Sequence, residues 1–170
     1  MIAQPGHTIR VLSLAITVLA LAACGSNPSV TPTAKRAEPV QRMPTVQRPT
    51  VGERAAAIAL NQVGVPYRYG GSTPTGFDCS GLVQYSYTRA GVRVPRTTGQ
   101  LWSTASTVSH EELKAGDLLF FRIEGKMSHV GLYLGEQRFV HAPQSGRKVS
   151  VASLKSPFYK AALIRAGRPY

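Results

Sequence analysis

Cysteine and histidine are scarce in this chain, with two of the first and four of the second. Cys79 stands in Asp78-Cys79-Ser80-Gly81, where a Gly-rich loop gives way to a run carrying Leu82, Val83, Tyr85 and Tyr87. That run reads as a helix over Cys79 to Arg89, followed by Gly91. A helix N-terminus carries unpaired amides and partial positive charge. Both favour thiolate over thiol, so the sulfur is expected to be nucleophilic near neutral pH. The same amides stand where an oxyanion would form. Asp78 has the side chain of a helix cap. A cysteine alone at such a position is more often a small buried residue than a nucleophile, so the presence of a base decides.

A thiol nucleophile works best with a base within hydrogen-bond reach. His7 lies in the leader described below, and His110, among Ser109, Glu111 and Glu112, reads as a solvated loop residue. His129 and His141 remain. They open Ser128-His129-Val130-Gly131 and close Phe139-Val140-His141, on what should be neighbouring strands. Side chains alternate along a strand. A two-residue turn at Gly135-Glu136 would send the two histidines to opposite faces. A three-residue loop or a bulge brings them together, and one of these is expected. His141 would then orient His129 as the third group of a triad does. A metal site of Cys79, His129 and His141 is the rival. Their wide spacing lacks the paired-ligand pattern, and no metal or other cofactor is expected.

The elements that must carry these groups are legible in outline. Glu53 to Val63 is Ala-rich and reads as a helix stopped near Gly64; Val65 to Gly76 reads as a loop, and Thr97 to Ser103 as a short helix. Beyond residue 105, short apolar runs alternate with turn residues. Leu118 to Ile123, His129 to Leu134, Gln137 to Ala142, Lys148 to Val151 and Ala161 to Arg165 are the expected strands. Helices first and strands afterwards indicate an α+β domain on an antiparallel sheet.

Residues 1–23 read as a signal peptide, with an apolar stretch from Val11 to Ala23 too short to span a bilayer. The segment ends in Leu21-Ala22-Ala23-Cys24, which resembles the bacterial lipobox and implies that Cys24 is lipidated. Gly25 after it favours the outer membrane by the same resemblance, so the expected location is periplasmic. An oxidising compartment would allow a disulfide between the two cysteines; lipidation of Cys24 leaves Cys79 unpartnered. Residues 24–50 hold five prolines and few large apolar side chains. They read as a disordered tether of about 50 to 80 Å if mostly polyproline-like. Residues 51–170 are long enough for one core. Without Arg10, the chain's 20 basic residues become 19 against 8 acidic ones, about +11. Such a surface favours anionic partners, and for a secreted protein that means the cell wall rather than nucleic acid.

From about Arg54 to Ile164 the sequence is similar to the NlpC/P60 family of bacterial papain-like cysteine peptidases. Six pieces carry the likeness: Val65 to Gly71, Gly76 to Val83, Pro95 to Thr98, Ala115 to Phe121, Ser128 to Gly131 and Phe139 to Ala142. The resemblance implies a papain-like fold, N-terminal helices packed on a five- to six-stranded antiparallel sheet. It implies Cys79 as nucleophile, His129 as base and His141 as third polar residue. Tyr67, twelve residues before Cys79, matches a tyrosine that helps form the oxyanion hole. Asp78 and Ser80 match residues that touch the substrate amine in some relatives. The implied activity is hydrolysis of peptidoglycan stem peptides, at D-glutamate–meso-diaminopimelate or at a diaminopimelate cross-link, by a monomer anchored through Cys24. The alternatives are a catalytically silent wall-binding lipoprotein on the same fold, or an acyltransferase or amidase of the wider papain-like group.

Overall fold

The computed structural model describes residues 47–170. The expected leader, the lipobox Cys24 and all but the last four residues of the expected tether lie outside them. Helix α1 spans Val51–Leu60 and begins with a capping box: the Thr50 hydroxyl accepts from the Glu53 amide, and the Glu53 carboxylate accepts from the Thr50 amide. Its inner face is Gly52, Ala55, Ala56 and Ala59, all buried. Residues this small let α1 lie close against helix α2, Cys79–Arg89.

The expected loop before α2 contains a two-stranded ladder, β1 Ser72–Thr73 with β2 Gly76–Phe77. It is too short to have a period, which is why it reads as loop. Helix α3, Thr98–Thr104, is capped by Thr97, whose hydroxyl accepts from the Gln100 amide.

The sheet has six antiparallel strands: β3 Ser106–Val108, β4 Leu118–Ile123, β5 Lys126–Gly135, β6 Arg138–His141, β7 Ser150–Ser153 and β8 Leu163–Arg168, in the order β3-β8-β4-β5-β6-β7. The fold is α+β, as expected, and the sheet takes the upper of the two strand numbers. Two expectations need correction. The last expected strand began at Ala161, but Pro157–Ala162 form a short helix, α4, and the strand follows it. Proline at the first helical position is suited to that start. The strand expected from Lys148 starts instead at Ser150. Strand β3 has no apolar period and was not expected.

Both faces of the sheet are covered. Leu118, Phe120, Val130, Leu132 and Val140 join the α1 and α2 residues Ala55, Ala59, Leu82, Val83 and Tyr87 in one core. Leu119, Phe121, Tyr133 and Phe139 form a second core with Leu154 and Ala162. That is why β4 reads as the unbroken run Leu-Leu-Phe-Phe: its alternation points apolar groups both ways. The buried Tyr87 hydroxyl donates to the Gly116 carbonyl at 2.7 Å. Asp117, 1% exposed, is held by Arg168 through two 2.8 Å bonds.

Candidate active site

Asp78 caps α2 and Cys79 is its first residue. The Asp78 carboxylate accepts from the Gly81 amide at 2.6 Å, from the Gly70 amide at 3.0 Å, and from both terminal nitrogens of Arg96 at 2.9 and 2.6 Å. Ser80 donates to it at 3.3 Å and accepts from Arg96 at 3.0 Å. Both Asp78 oxygens are thus engaged and Ser80 is buried. This arrangement fixes the loop-to-helix junction and ties both side chains to Arg96. Gly81 is demanded by the same junction, since a Cβ there would lie 2.0 Å from the Gly71 carbonyl oxygen.

The Cys79 sulfur lies 3.6 Å from the Thr98 hydroxyl at the start of α3 and 3.9 Å from the Ser128 carbonyl on β5. The Val130 amide also bonds to it. The sulfur therefore meets β5 at the backbone on both sides of His129. Thr98 and Arg96 were not singled out as site residues from sequence. Their signal was present in Pro95-Arg96-Thr97-Thr98, but nothing in the spacing says that this segment folds back on the cysteine.

His129 and His141 share a face, and their rings are joined by a 2.8 Å bond from Nε2 of His129 to Nδ1 of His141. The device is a bulge. The turn is Glu136-Gln137, both with positive φ, pairing Gly135 with Arg138. Continued without interruption, that register would put the histidines on opposite faces. Between Tyr133 and Gly135 the ladder shifts, leaving Leu134 as the extra residue, and Tyr133 pairs with Phe139. The expected three-residue loop is absent; the expected alternative, a bulge, is present.

Burial governs the electrostatics. It pushes the imidazole of His129 down to about 4 and that of His141 to about 3. For His141, the neighbouring His129 and Arg147 lower it further. Burial also pushes the Cys79 thiol up, opposed by bonds from Thr98 and from the Val130 and Ser80 amides. The start of α2 favours the anion, while loss of water opposes it and is the largest of the causes, so the net push on the thiol is upward.

Tyr67 is half-buried; burial raises its phenol, and the nearby Cys79 and Asp78 raise it further. Its amide donates to the Arg147 carbonyl at 2.8 Å, which pins the loop beside the sulfur. His110 is exposed in a short 3-10 turn, His110–Glu112, as expected of a solvated residue. Among the described residues, no three His, Cys, Asp or Glu side chains converge as metal ligands. A cavity of about 340 Å³ borders the second core, lined by Leu113, Leu154 and Leu163 with His110, Lys155 and Lys160, and none of the candidate residues lines it.

Residues 64–168 match the NlpC/P60 family. The murein DD-endopeptidase MepH of Escherichia coli is 40% identical over 126 residues, 68% of this chain and 46% of that protein. The bifunctional muramidase/DL-endopeptidase CwlT of Bacillus subtilis is 44% identical over 114 residues, 65% of this chain and 34% of that protein. The chain thus spans less than half the length of these relatives. Among solved structures, the NlpC/p60 domain of the peptidoglycan hydrolase SagA matches with a TM-score of 0.60 at 37% identity, over 68% of this chain and 97% of that one. A Staphylococcus aureus protein of the NLP/P60 family, described as similar to lipoprotein, matches with a TM-score of 0.63 at 35% identity, over 74% and 44%.

Proposed function

The chain belongs to the NlpC/P60 family, and from that premise we propose that it is a cysteine endopeptidase cutting amide bonds in peptidoglycan stem peptides, with Cys79, His129 and His141 as its triad. The observation that carries this reading is the sulfur at the start of α2, seated against the backbone around a buried His129 whose Nε2 is bonded to His141 at 2.8 Å.

With Nε2 occupied, His129 has Nδ1 left for the thiol. Nδ1 is also the nitrogen nearer the backbone, where the sulfur sits. In the proposed cycle the Cys79 proton passes to Nδ1 as the sulfur attacks the carbonyl carbon. The Tyr67 hydroxyl and the Cys79 amide hold the oxyanion. His129 returns the proton to the leaving amine, and water then hydrolyses the thioester. Burial that disfavours isolated charges supports this concerted transfer, because the ion pair needs to exist only alongside the oxyanion. Asp78 and Ser80 act with Arg96 as scaffold for the nucleophile rather than on the substrate.

The names of the relatives include both a DD- and a DL-endopeptidase, so the diaminopimelate cross-link and the D-glutamate–meso-diaminopimelate bond both stay within the proposal. Mass spectrometry of defined muropeptides after digestion distinguishes them. Wild type should release the cleaved stem peptides, and Cys79→Ala should lose at least about a thousandfold in rate. Cleavage undiminished in Cys79→Ala would refute the assignment. The lipid anchor at Cys24, a monomeric state and an outer-membrane location belong to the same reading. Among the described residues no helix is long and apolar enough to cross a membrane. Incorporation of labelled fatty acid into wild type but not Cys24→Ala is the corresponding test.

A further inference from the structure

The proposed triad leaves one polar atom of His141 unexplained. Its Nδ1 faces His129, and its Nε2 lies 3.4 Å from the Tyr159 hydroxyl on α4. Tyr159 carries no periodic or motif signal. Its ring packs edge-on against Phe121, Phe139 and His141, with centroids 5.6, 5.0 and 5.4 Å away. That packing aims the hydroxyl at His141.

Proton bookkeeping along this line allows only one useful arrangement. For His129 to accept the thiol proton at Nδ1, its own proton must sit on Nε2 and be donated to Nδ1 of His141. His141 must then carry its proton on Nε2, and that proton needs an acceptor. The reverse polarity, with Tyr159 donating to Nε2, puts the His141 proton on Nδ1 and the His129 proton on its Nδ1. The imidazole then has no lone pair for the thiol. Resting on the triad reading above, we propose that Tyr159 is a positioning residue. Its phenolic oxygen accepts from Nε2 of His141 and so locks both histidines in the tautomers that make His129 a base. Tyr159 is half-buried, so its own proton can turn to solvent. When His129 takes the second proton, its Nε2–H continues to donate to His141, and the relay needs no rearrangement.

The test is Tyr159→Phe in the full-length protein, which keeps the ring and removes the acceptor. Imidazole nitrogen shifts from long-range proton–nitrogen correlation report the tautomers without any need for turnover. In wild type, both histidines should carry the proton on Nε2. In Tyr159→Phe, His141 should become a mixture of tautomers. On muropeptide, kcat should fall about three- to tenfold, the effect of one lost hydrogen bond, with KM unchanged. A wild-type His141 protonated on Nδ1, or a Tyr159→Phe variant with unchanged tautomers, would overturn the proposal. Neither result bears on whether Cys79→Ala abolishes cleavage, so failure here is separable from failure of the peptidase assignment.

Discussion

At the scale of single residues, the site sets the charge preference of a helix start against burial. Cys79 has a capped helix behind it and Thr98 and the Val130 and Ser80 amides favouring its anion, yet loss of water pushes its thiol up. Iodoacetamide labelling of the Cys79 peptide, followed by mass spectrometry, should therefore be slow at pH 7 and keep rising through alkaline pH. A rate already level by pH 6 would mean a stable resting thiolate and contradict this account. The residue scale also shows what sequence reading missed. Asp78 and Ser80 were legible as neighbours of the nucleophile, but Arg96, which occupies both of them, comes from sixteen or more residues downstream. Only the chain path makes it their partner.

At the scale of elements, two local devices position the chemistry. The first is the close approach of the Gly71 carbonyl to the start of α2. Gly81→Ala would force two backbone segments apart, since the added methyl meets a carbonyl oxygen rather than a flexible side chain. Denaturant unfolding should show a loss of about 2 kcal/mol or more, and cleavage should fall with it because the Cys79 backbone moves. The second device is the bulged hairpin. Its turn residues Glu136 and Gln137 both hold positive φ at 52° and 60°, which such turns normally reserve for Asn and Gly. Gln137→Gly removes that strain and should raise stability by about 1 kcal/mol, seen as a higher thermal midpoint with cleavage retained. The same choice of residues explains why the turn could not be located from sequence: Glu-Gln is not a turn signal, whereas the parity argument from the two histidines still required a bulge or a three-residue loop.

At the scale of the whole molecule, a sheet buried on both faces sinks the two histidines, 5% and 2% exposed, into the structure. Their folded-state values, about 4 and about 3, lie below the ordinary 6.5. Between those values and 6.5 the unfolded chain binds more protons than the folded one, so stability rises with pH across that window and falls on acidification. The full shifts correspond at most to about 3 kcal/mol for His129 and about 5 kcal/mol for His141. Urea midpoints should therefore drop steeply from pH 6.5 to pH 4, and His141→Asn should flatten part of that slope. An equal slope in the variant would show that the pair does not govern acid stability.

What the sequence by itself determined is what local chemistry and spacing can encode. The α2 helix was read residue for residue, because capping, period and stop signals all lie within it. The α+β class, the antiparallel sheet and the family followed from the order of runs and from six short motifs. Once the two histidines were required to share a face, parity demanded a bulge or a three-residue loop between them, and the bulge is there. Tertiary structure decided whatever depends on chain segments meeting: Arg96 and Thr98 at the nucleophile, Tyr159 behind His141, and α4 where a strand was expected. It also decided how strongly the site disfavours charge, because burial belongs to the folded molecule and not to any window of sequence. A helix start can be recognised from a few residues; how much water remains around it depends on all the layers packed above.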